Sequence, residues 1–208
     1  HILKPLLAGL FVLVLATSAN AATLNVPADF ITIQAAVNAA AAGDTILVQS
    51  GTYYENVNVN KALTLRGVDS GSGLPVVDAG RSGDAIILRA NNCTLQDFVA
   101  MNSSGQSGIR VLSSYNTISG NTAVGNYYGI AIRSSSIGNT ISGNTATDNS
   151  YYGILLDSSS GNTISDNIAT GNSNGIYLYF SSIGNTISGN TATGNTNSGI
   201  CISSSTCN

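Results

Sequence analysis

The sequence predicts an all-β fold: a single-stranded right-handed parallel β-helix with rungs of 23 residues and an N-terminal capping α-helix. Three observations carry this reading: a hexapeptide that returns at a constant interval, a glycine anchor between its copies, and apolar residues with a period of two. Asn116-Thr117-Ile118-Ser119-Gly120-Asn121 recurs from Asn139, from Asn162 (with Asp166 for the glycine) and from Asn185, each copy 23 residues after the last. A degenerate copy opens at Cys93-Thr94-Leu95, so five units occupy residues 93–208. Self-similarity at this period marks a solenoid.

The second anchor, Gly-Ile-x-(Ile/Leu/Val), stands at Gly108, Gly129, Gly153, Gly175 and Gly199. It follows the first four unit starts by 15, 13, 14 and 13 residues and precedes the next by 8, 10, 9 and 10. One bend lengthens when the other shortens. The perimeter is therefore constant, as rungs stacked about 4.8 Å apart in register demand. Helical repeats need longer units and 3.6-residue spacing, and leucine-rich repeats need several leucines per unit. The apolar residues here come in twos, Ile118 and Ala123 on one stretch, Ile130 and Ile132 on another. Alternation places Ile130, Ile132, Ile154, Leu156, Ile176, Leu178, Ile200 and Ile202 inside. Three asparagines per rung align, 116/121/126, 139/144/149, 162/167/172 and 185/190/195, and the columns they form read as hydrogen-bonded structural ladders rather than ligand sites.

The N-terminal part is built differently. Lys4, the apolar run Leu6–Ala16 and Ala19-Asn20-Ala21 form the pattern of a cleavable signal over residues 1–21. The apolar run is too short for a membrane anchor and no basic stop-transfer cluster follows, so no stable membrane span is expected in the mature chain. Residues 22–67 read as a cap helix and first rungs. Thr32–Ala42 is amphipathic, with Ile33, Ala36, Val37 and Ala40 on one face, Thr32 as N-cap and Gly43 as the C′ stop. Strands are expected at Thr45–Val48, Val57–Val59 and Leu63–Arg66, separated by Gly51-Thr52-Tyr53. Residues 68–92 read as an irregular rung with a loop, in which Gly71-Ser72-Gly73 is a turn. The chain opens on His1 rather than Met, and Asn208 takes the first place of a sixth unit. Further rungs are therefore expected in the natural protein, because a solenoid stopped there leaves an open sheet edge.

Composition narrows the function. Charged residues make up 8% of the chain, with seven basic and ten acidic side chains. Without the signal there is no histidine and the net charge is near −4 (six basic, ten acidic). No basic stripe exists for nucleic acid, so no nucleic-acid partner is expected. Cys201 and Cys207 are close enough in sequence to pair in an oxidising compartment, whereas Cys93 reads equally as a small packing residue. The sequons at Asn92 and Asn102 decide nothing in so Asn/Ser/Thr-rich a chain.

Ile33-Gln34-Ala35-Ala36-Val37, Gly43-Asp44-Thr45-Ile46, Gly51-Thr52-Tyr53-Tyr54-Glu55-Asn56-Val57 and Leu63-Thr64-Leu65-Arg66-Gly67 resemble the opening of pectin-lyase-like β-helix proteins. The Asn-Thr-Ile-Ser-Gly-Asn … Gly-Ile repeats resemble the NosD-type, or "periplasmic copper-binding", branch of that superfamily. The resemblance implies the fold and a wide choice of functions: lyases, hydrolases, esterases, epimerases and non-enzymatic surface modules.

The residues do not complete any of these chemistries. Lyase chemistry needs clustered acids for calcium and a base, and hydrolysis needs carboxylates on neighbouring rungs. The repeats hold Asp97, Asp148, Asp157 and Asp166 as acids, and Arg110 and Arg133 as bases. Gln96-Asp97 has no second aspartate motif to complete an esterase site. Copper would have to rely on Met101 and three scattered cysteines, so no metal site and no cofactor are carried over. No catalytic residue is assigned.

One constellation remains. Four residues past each glycine anchor stand Leu112, Arg133, Asp157, Tyr179 and Ser203, all outward. Arg133 and Asp157 are expected as neighbours about 5 Å apart on adjacent rungs. Tyr177 is also outward, and Tyr127-Tyr128 and Tyr151-Tyr152 occupy the bend before the strand. The plain reading is a cross-strand salt bridge with solvated tyrosines. The functional reading is a sugar-binding face of Tyr128, Arg133, Tyr152, Asp157, Tyr177 and Tyr179, since sugar C–H faces stack on aromatics. The expectation is an exported β-helix module, extracellular, cell-surface or periplasmic, that binds or displays, with polysaccharide or cell-envelope components as partners. The alternative is a polysaccharide-processing enzyme whose catalytic residues lie outside this segment.

Overall fold

A computed structural model describes residues 21–205 and 208. The expected signal, apart from Ala21, and Cys207 lie outside the described residues. The chain winds as a parallel β-helix with three sheets. Sheet 1 has eight strands: Thr23–Val26, Thr45–Gln49, Thr64–Val68, Thr94–Gln96, Thr117–Ser119, Thr140–Ser142, Thr163–Ser165 and Thr186–Ser188. Sheet 2 has six: Thr52–Tyr54, Val76–Asp78, Val99–Met101, Thr122–Val124, Thr145–Thr147 and Ile168–Thr170. Sheet 3 has seven: Val57–Val59, Ile86–Leu88, Ser107–Val111, Tyr128–Ile132, Tyr152–Asp157, Asn174–Tyr179 and Ser198–Ser203. Every pairing is parallel and in register, so Ile118 lies beside Ile141 and Ile141 beside Ile164.

The core is a set of stacked apolar columns. Ile118, Ile141 and Ile164 from sheet 1, Ala123, Ala146 and Ala169 from sheet 2, and the inward pairs of sheet 3 from Ile130 to Leu178 are fully buried. Each large aliphatic side chain so buried contributes roughly 1.5–3 kcal/mol. The alanines mark where two sheets meet at a narrow corner. Ile118 and Ala123 belong to separate sheets, divided by a turn at Gly120-Asn121, and not to one stretch as their spacing suggested. Ile200 and Ile202 take the inward register beside Ile176 and Leu178 but remain 47% and 48% exposed, because no described rung covers them.

The asparagine columns form the expected ladders. The side-chain Oδ1 of Asn144 accepts both the backbone N–H and the side-chain Nδ2 of Asn121, each at 3.0 Å. Its own Nδ2 donates to Asn167 Oδ1 at 3.0 Å and to the Ile118 carbonyl at 2.9 Å. The pattern repeats down all three columns, ending at Asn208 in the first, and the asparagines inside them are buried. Each ladder begins on a different residue. Cys93, Phe98 and Ser103 hold the first positions, and their backbone N–H groups donate to Asn116, Asn121 and Asn126.

The cap differs from expectation at its C-terminal end. The helix spans Ile33–Ala39 with Thr32 as N-cap, its hydroxyl accepting from Ala35 N. It does not run to Ala42, and Gly43 is not its stop. Lys61 Nζ, from the next rung, donates to the carbonyls of Val37, Asn38 and Ala40, and Asp44 accepts from Ala41 N. These bonds satisfy the last carbonyls and turn the chain into an extended conformation at Ala40. At the other end Glu55 accepts from Ile33 N and Gln34 N, so an anion meets the positive helix end and a cation the negative one. Thr52–Tyr54 is itself a strand of sheet 2, and Thr23–Val26 adds an unanticipated first strand to sheet 1. Across residues 68–92, Val76–Asp78 and Ile86–Leu88 extend sheets 2 and 3, and Asp69 closes the Gly71-Ser72-Gly73 turn by accepting from Gly71 N and Gly73 N.

Asn144→Ala should strand the Asn121 backbone N–H in the interior and lower unfolding free energy by about 3 kcal/mol. The exposed Thr117→Ser should change it by less than about 0.5 kcal/mol in the same denaturant titration.

Candidate binding face

Sheet 3 carries the candidate site because its outward positions hold the tyrosines and Arg133. Between the inward Ile130 and Ile132, and between Ile154 and Leu156, the outward Ala131 and Leu155 are nevertheless buried, at 0% and 2% exposure. Neither belongs to the interior core. Leu155 lies under a second, external layer of tyrosines and Arg133.

That layer is an aromatic stack. Tyr128 stacks on Tyr152 at 5.7 Å between centroids, Tyr152 on Tyr177 at 4.5 Å, and Tyr177 on Tyr179 at 5.8 Å. A parallel pair, Tyr127 and Tyr151, stacks at 5.4 Å, and Tyr151 also meets Tyr152 at 4.1 Å. In-register pairing stacks Tyr128 on Tyr152; in the next rung Asn174 takes that register, and the stack continues through Tyr177 and Tyr179, outward residues of the strand itself. Arg133 Cζ lies 4.7 Å from the Tyr128 centroid, a cation–π contact. Its Nε is 3.7 Å from Asp157 Oδ2, an ion pair longer than a hydrogen bond, and this buried Nε has no hydrogen-bond partner.

Tyr128, Arg133, Tyr151, Tyr152, Leu155, Asp157 and Tyr179 together line a cleft of about 270 Å³. Five of the six residues singled out in the sequence thus converge. The sixth, Tyr177, stands behind the cleft against Tyr152. Tyr151, from the tyrosine pairs, and the floor residue Leu155 complete it. The signal for Leu155 was present: Ile154-Leu155-Leu156 breaks the inward–outward alternation, as a covered outward residue should. The tyrosines are not all solvated. Burial, and then the neighbouring Tyr151, push the Tyr152 phenol well above its ordinary value.

The remaining acids have another task. Asp97, Asp148 and Asp166 adopt left-handed backbone conformations with φ of 63°, 53° and 56°. Their column partners one rung on are Gly120, Gly171 and Gly189, also left-handed. A Cβ on any of these glycines would run into the aspartate side chain of the rung before. These aspartates serve as turn residues in place of glycine, because Asp tolerates this conformation better than most residues. Asp157 is the one repeat aspartate on a strand, and it is paired. Arg110, the other base, pairs with Asp84 at 3.3 Å.

The soft donors do not fit copper. Cys93 is buried at the head of its asparagine column, its thiol directed at the Lys61 and Ala90 carbonyls and pushed up in pKa by desolvation. Met101 lies on sheet 2 and Cys201 on sheet 3 beside Tyr177. Among the described residues no three His, Cys, Asp or Glu side chains gather to hold a metal. The expected Cys201–Cys207 pairing involves a residue outside those described.

Because the folded state holds Tyr152 protonated, its stabilisation is intact below pH 10.0, the ordinary phenol value, and is lost as pH rises above it. The melting temperature should fall on that alkaline limb, and Tyr152→Phe should make the fall shallower. An unchanged slope would contradict the assignment.

The family described as periplasmic copper-binding protein (NosD) matches residues 37–208. Among solved structures, the periplasmic alginate epimerase AlgG (T265N T268M double mutant) is similar with a TM-score of 0.54 and 18% identity, over 75% of this chain. This chain spans 37% of that epimerase. An alginate lyase from Paenibacillus sp. str. FPU-7 aligns over 88% of this chain and 99% of its own, with 12% identity and a TM-score of 0.44. A search of the curated proteins finds no match. Among the described residues no helix is long and apolar enough to cross a membrane. The epimerase shares the fold, and the match over most of the chain gives the family: the chain belongs to the NosD family of periplasmic β-helix proteins.

Proposed function

We propose that this chain is an exported, non-catalytic module of the cell envelope that binds polysaccharide through the tyrosine face of sheet 3. The observation that carries the proposal is the cleft itself, where aromatic rims, an apolar floor and one guanidinium–carboxylate pair converge. Tyr152 has Tyr128 and Tyr177 stacked against it, so a sugar ring cannot lie on it. The rims differ: Tyr151 and Tyr179 are 39% and 43% exposed, and either offers a surface to sugar C–H groups. Arg133 and Asp157, whose side chains are 24% and 33% exposed, supply donors and acceptors for sugar hydroxyls between those rims.

Binding is favoured over catalysis because the repeat acids other than Asp157 occupy turn positions set by backbone conformation. The alginate epimerase of similar fold supports a link to carbohydrate, and copper finds no donor set among the described residues.

On a glycan array, wild-type protein should retain a polysaccharide that Arg133→Ala and Tyr179→Ala each bind about tenfold more weakly, a loss of about 1.4 kcal/mol. Array binding unchanged in both variants would refute the proposal.

A further inference from the structure

Several departures from the 23-residue pattern meet at the bend between sheets 2 and 3 in the rung that opens at Cys93. Three changes meet there. Ser103 occupies the column position that Asn126, Asn149 and Asn172 hold in later rungs. The stretch from this position to the glycine anchor, Ser103 to Gly108, is one or two residues longer than in any later rung, and the extra length falls in the loop Ser104-Gly105-Gln106. Beneath it lies Arg81, in a left-handed conformation, its N–H donating to the Asn102 carbonyl at 2.8 Å.

The result is a second cleft of about 270 Å³, lined by residues that include Arg81, Ser103, Ser104, Gly105, Tyr127 and Ser150. In later rungs the asparagine amide crosses this space to a carbonyl 26 residues back, as Asn126 does to Ala100 and Asn149 to Ala123. The serine is too short for that. Its hydroxyl is fully buried and has no hydrogen-bond partner. A buried, unmatched hydroxyl is costly unless something else satisfies it. Among the described residues Arg81 makes no ion pair, and no carboxylate lines the cleft. One free guanidinium with hydroxyl donors and no carboxylate in the lining, the nearby Asp78 carboxylate being held by the Asn102 amide at 2.8 Å, suits a planar oxyanion, which the guanidinium fork binds through two parallel hydrogen bonds.

We infer that this cleft is an anion subsite that takes the carboxylate of a sugar acid. The sugar as carrier rests on the glycan reading above. Tyr127 lines this cleft and stacks on Tyr151, which lines the tyrosine cleft, so one wall joins the two sites. The volume is just below the roughly 300 Å³ at which small-molecule pockets begin, a size for one ring rather than a longer segment.

Calorimetric titration at low salt with glucuronate, glucose and sodium sulfate tests the assignment. Glucuronate should bind at least tenfold more tightly than either of the others, and Arg81→Gln should abolish that preference. Ser103→Ala should weaken glucuronate binding severalfold while raising the melting temperature, since it removes an unmatched buried hydroxyl. A merely structural serine would move the melting temperature alone. Equal binding of sulfate, or glucuronate binding untouched by Arg81→Gln, overturns the inference. A free monosaccharide reports on this cleft independently of the array. Arg81-dependent glucuronate binding alongside unchanged array binding by Arg133→Ala and Tyr179→Ala would sink only the tyrosine-face proposal.

Discussion

The whole architecture depends on one hydrogen-bond arrangement, the asparagine whose carbonyl oxygen accepts two N–H groups from the asparagine 23 residues earlier. Backbone pairing alone tolerates slippage, because each parallel ladder bond resembles the next. A side-chain amide that must meet both a backbone N–H and another amide has one acceptable register. Three such columns per rung fix sheets 1 and 2 and the turns between them. An unmatched amide in this interior would cost about 1–3 kcal/mol, so the length between columns cannot vary.

Variation is therefore confined to the rest of the rung. From Asn126 to Asn139, or from Asn149 to Asn162, the chain forms sheet 3 and its two bends, and in this part of the rung the glycine anchor moves by one or two residues from rung to rung. Tyr128, Tyr152, Arg133 and Asp157 all lie in this permissive part. So do the loop over Ser103 and the tyrosine pairs. A rigid two-sheet scaffold with one adaptable sheet is an arrangement suited to recognition, since the ladders hold binding groups in register without constraining what those groups are.

Much of this was legible in the sequence because each rung repeats the same physical problem. Period, sheet alternation and asparagine columns could be read from Asn116 to Asn195, and Thr32 was legible as a cap from its side chain alone. The helix stop at Ala40 was not, because Lys61 imposes it from the next rung and nothing local announces it. Ile118 and Ala123 looked like one stretch, since a turn of two residues leaves little compositional trace. For the binding face, the outward column of Arg133, Asp157 and Tyr179 followed from counting past each glycine. That the rings stack on one another, and that Leu155 forms a floor, required three-dimensional packing. The Arg81–Ser103 cleft was hidden because its mark is a substitution and a longer bend in the most degenerate unit, visible only against the ladder it interrupts.

Hydrogen exchange of the backbone amides that donate to ladder oxygens tests the account most directly. Asn116, Asn121, Asn139, Asn144 and Asn162 should exchange only through global unfolding, at one common free energy, and more slowly than the sheet 3 amides of Ile130 and Ile154. If those asparagine amides instead exchange by local opening, faster than sheet 3, the ladders do not set the register and the account fails.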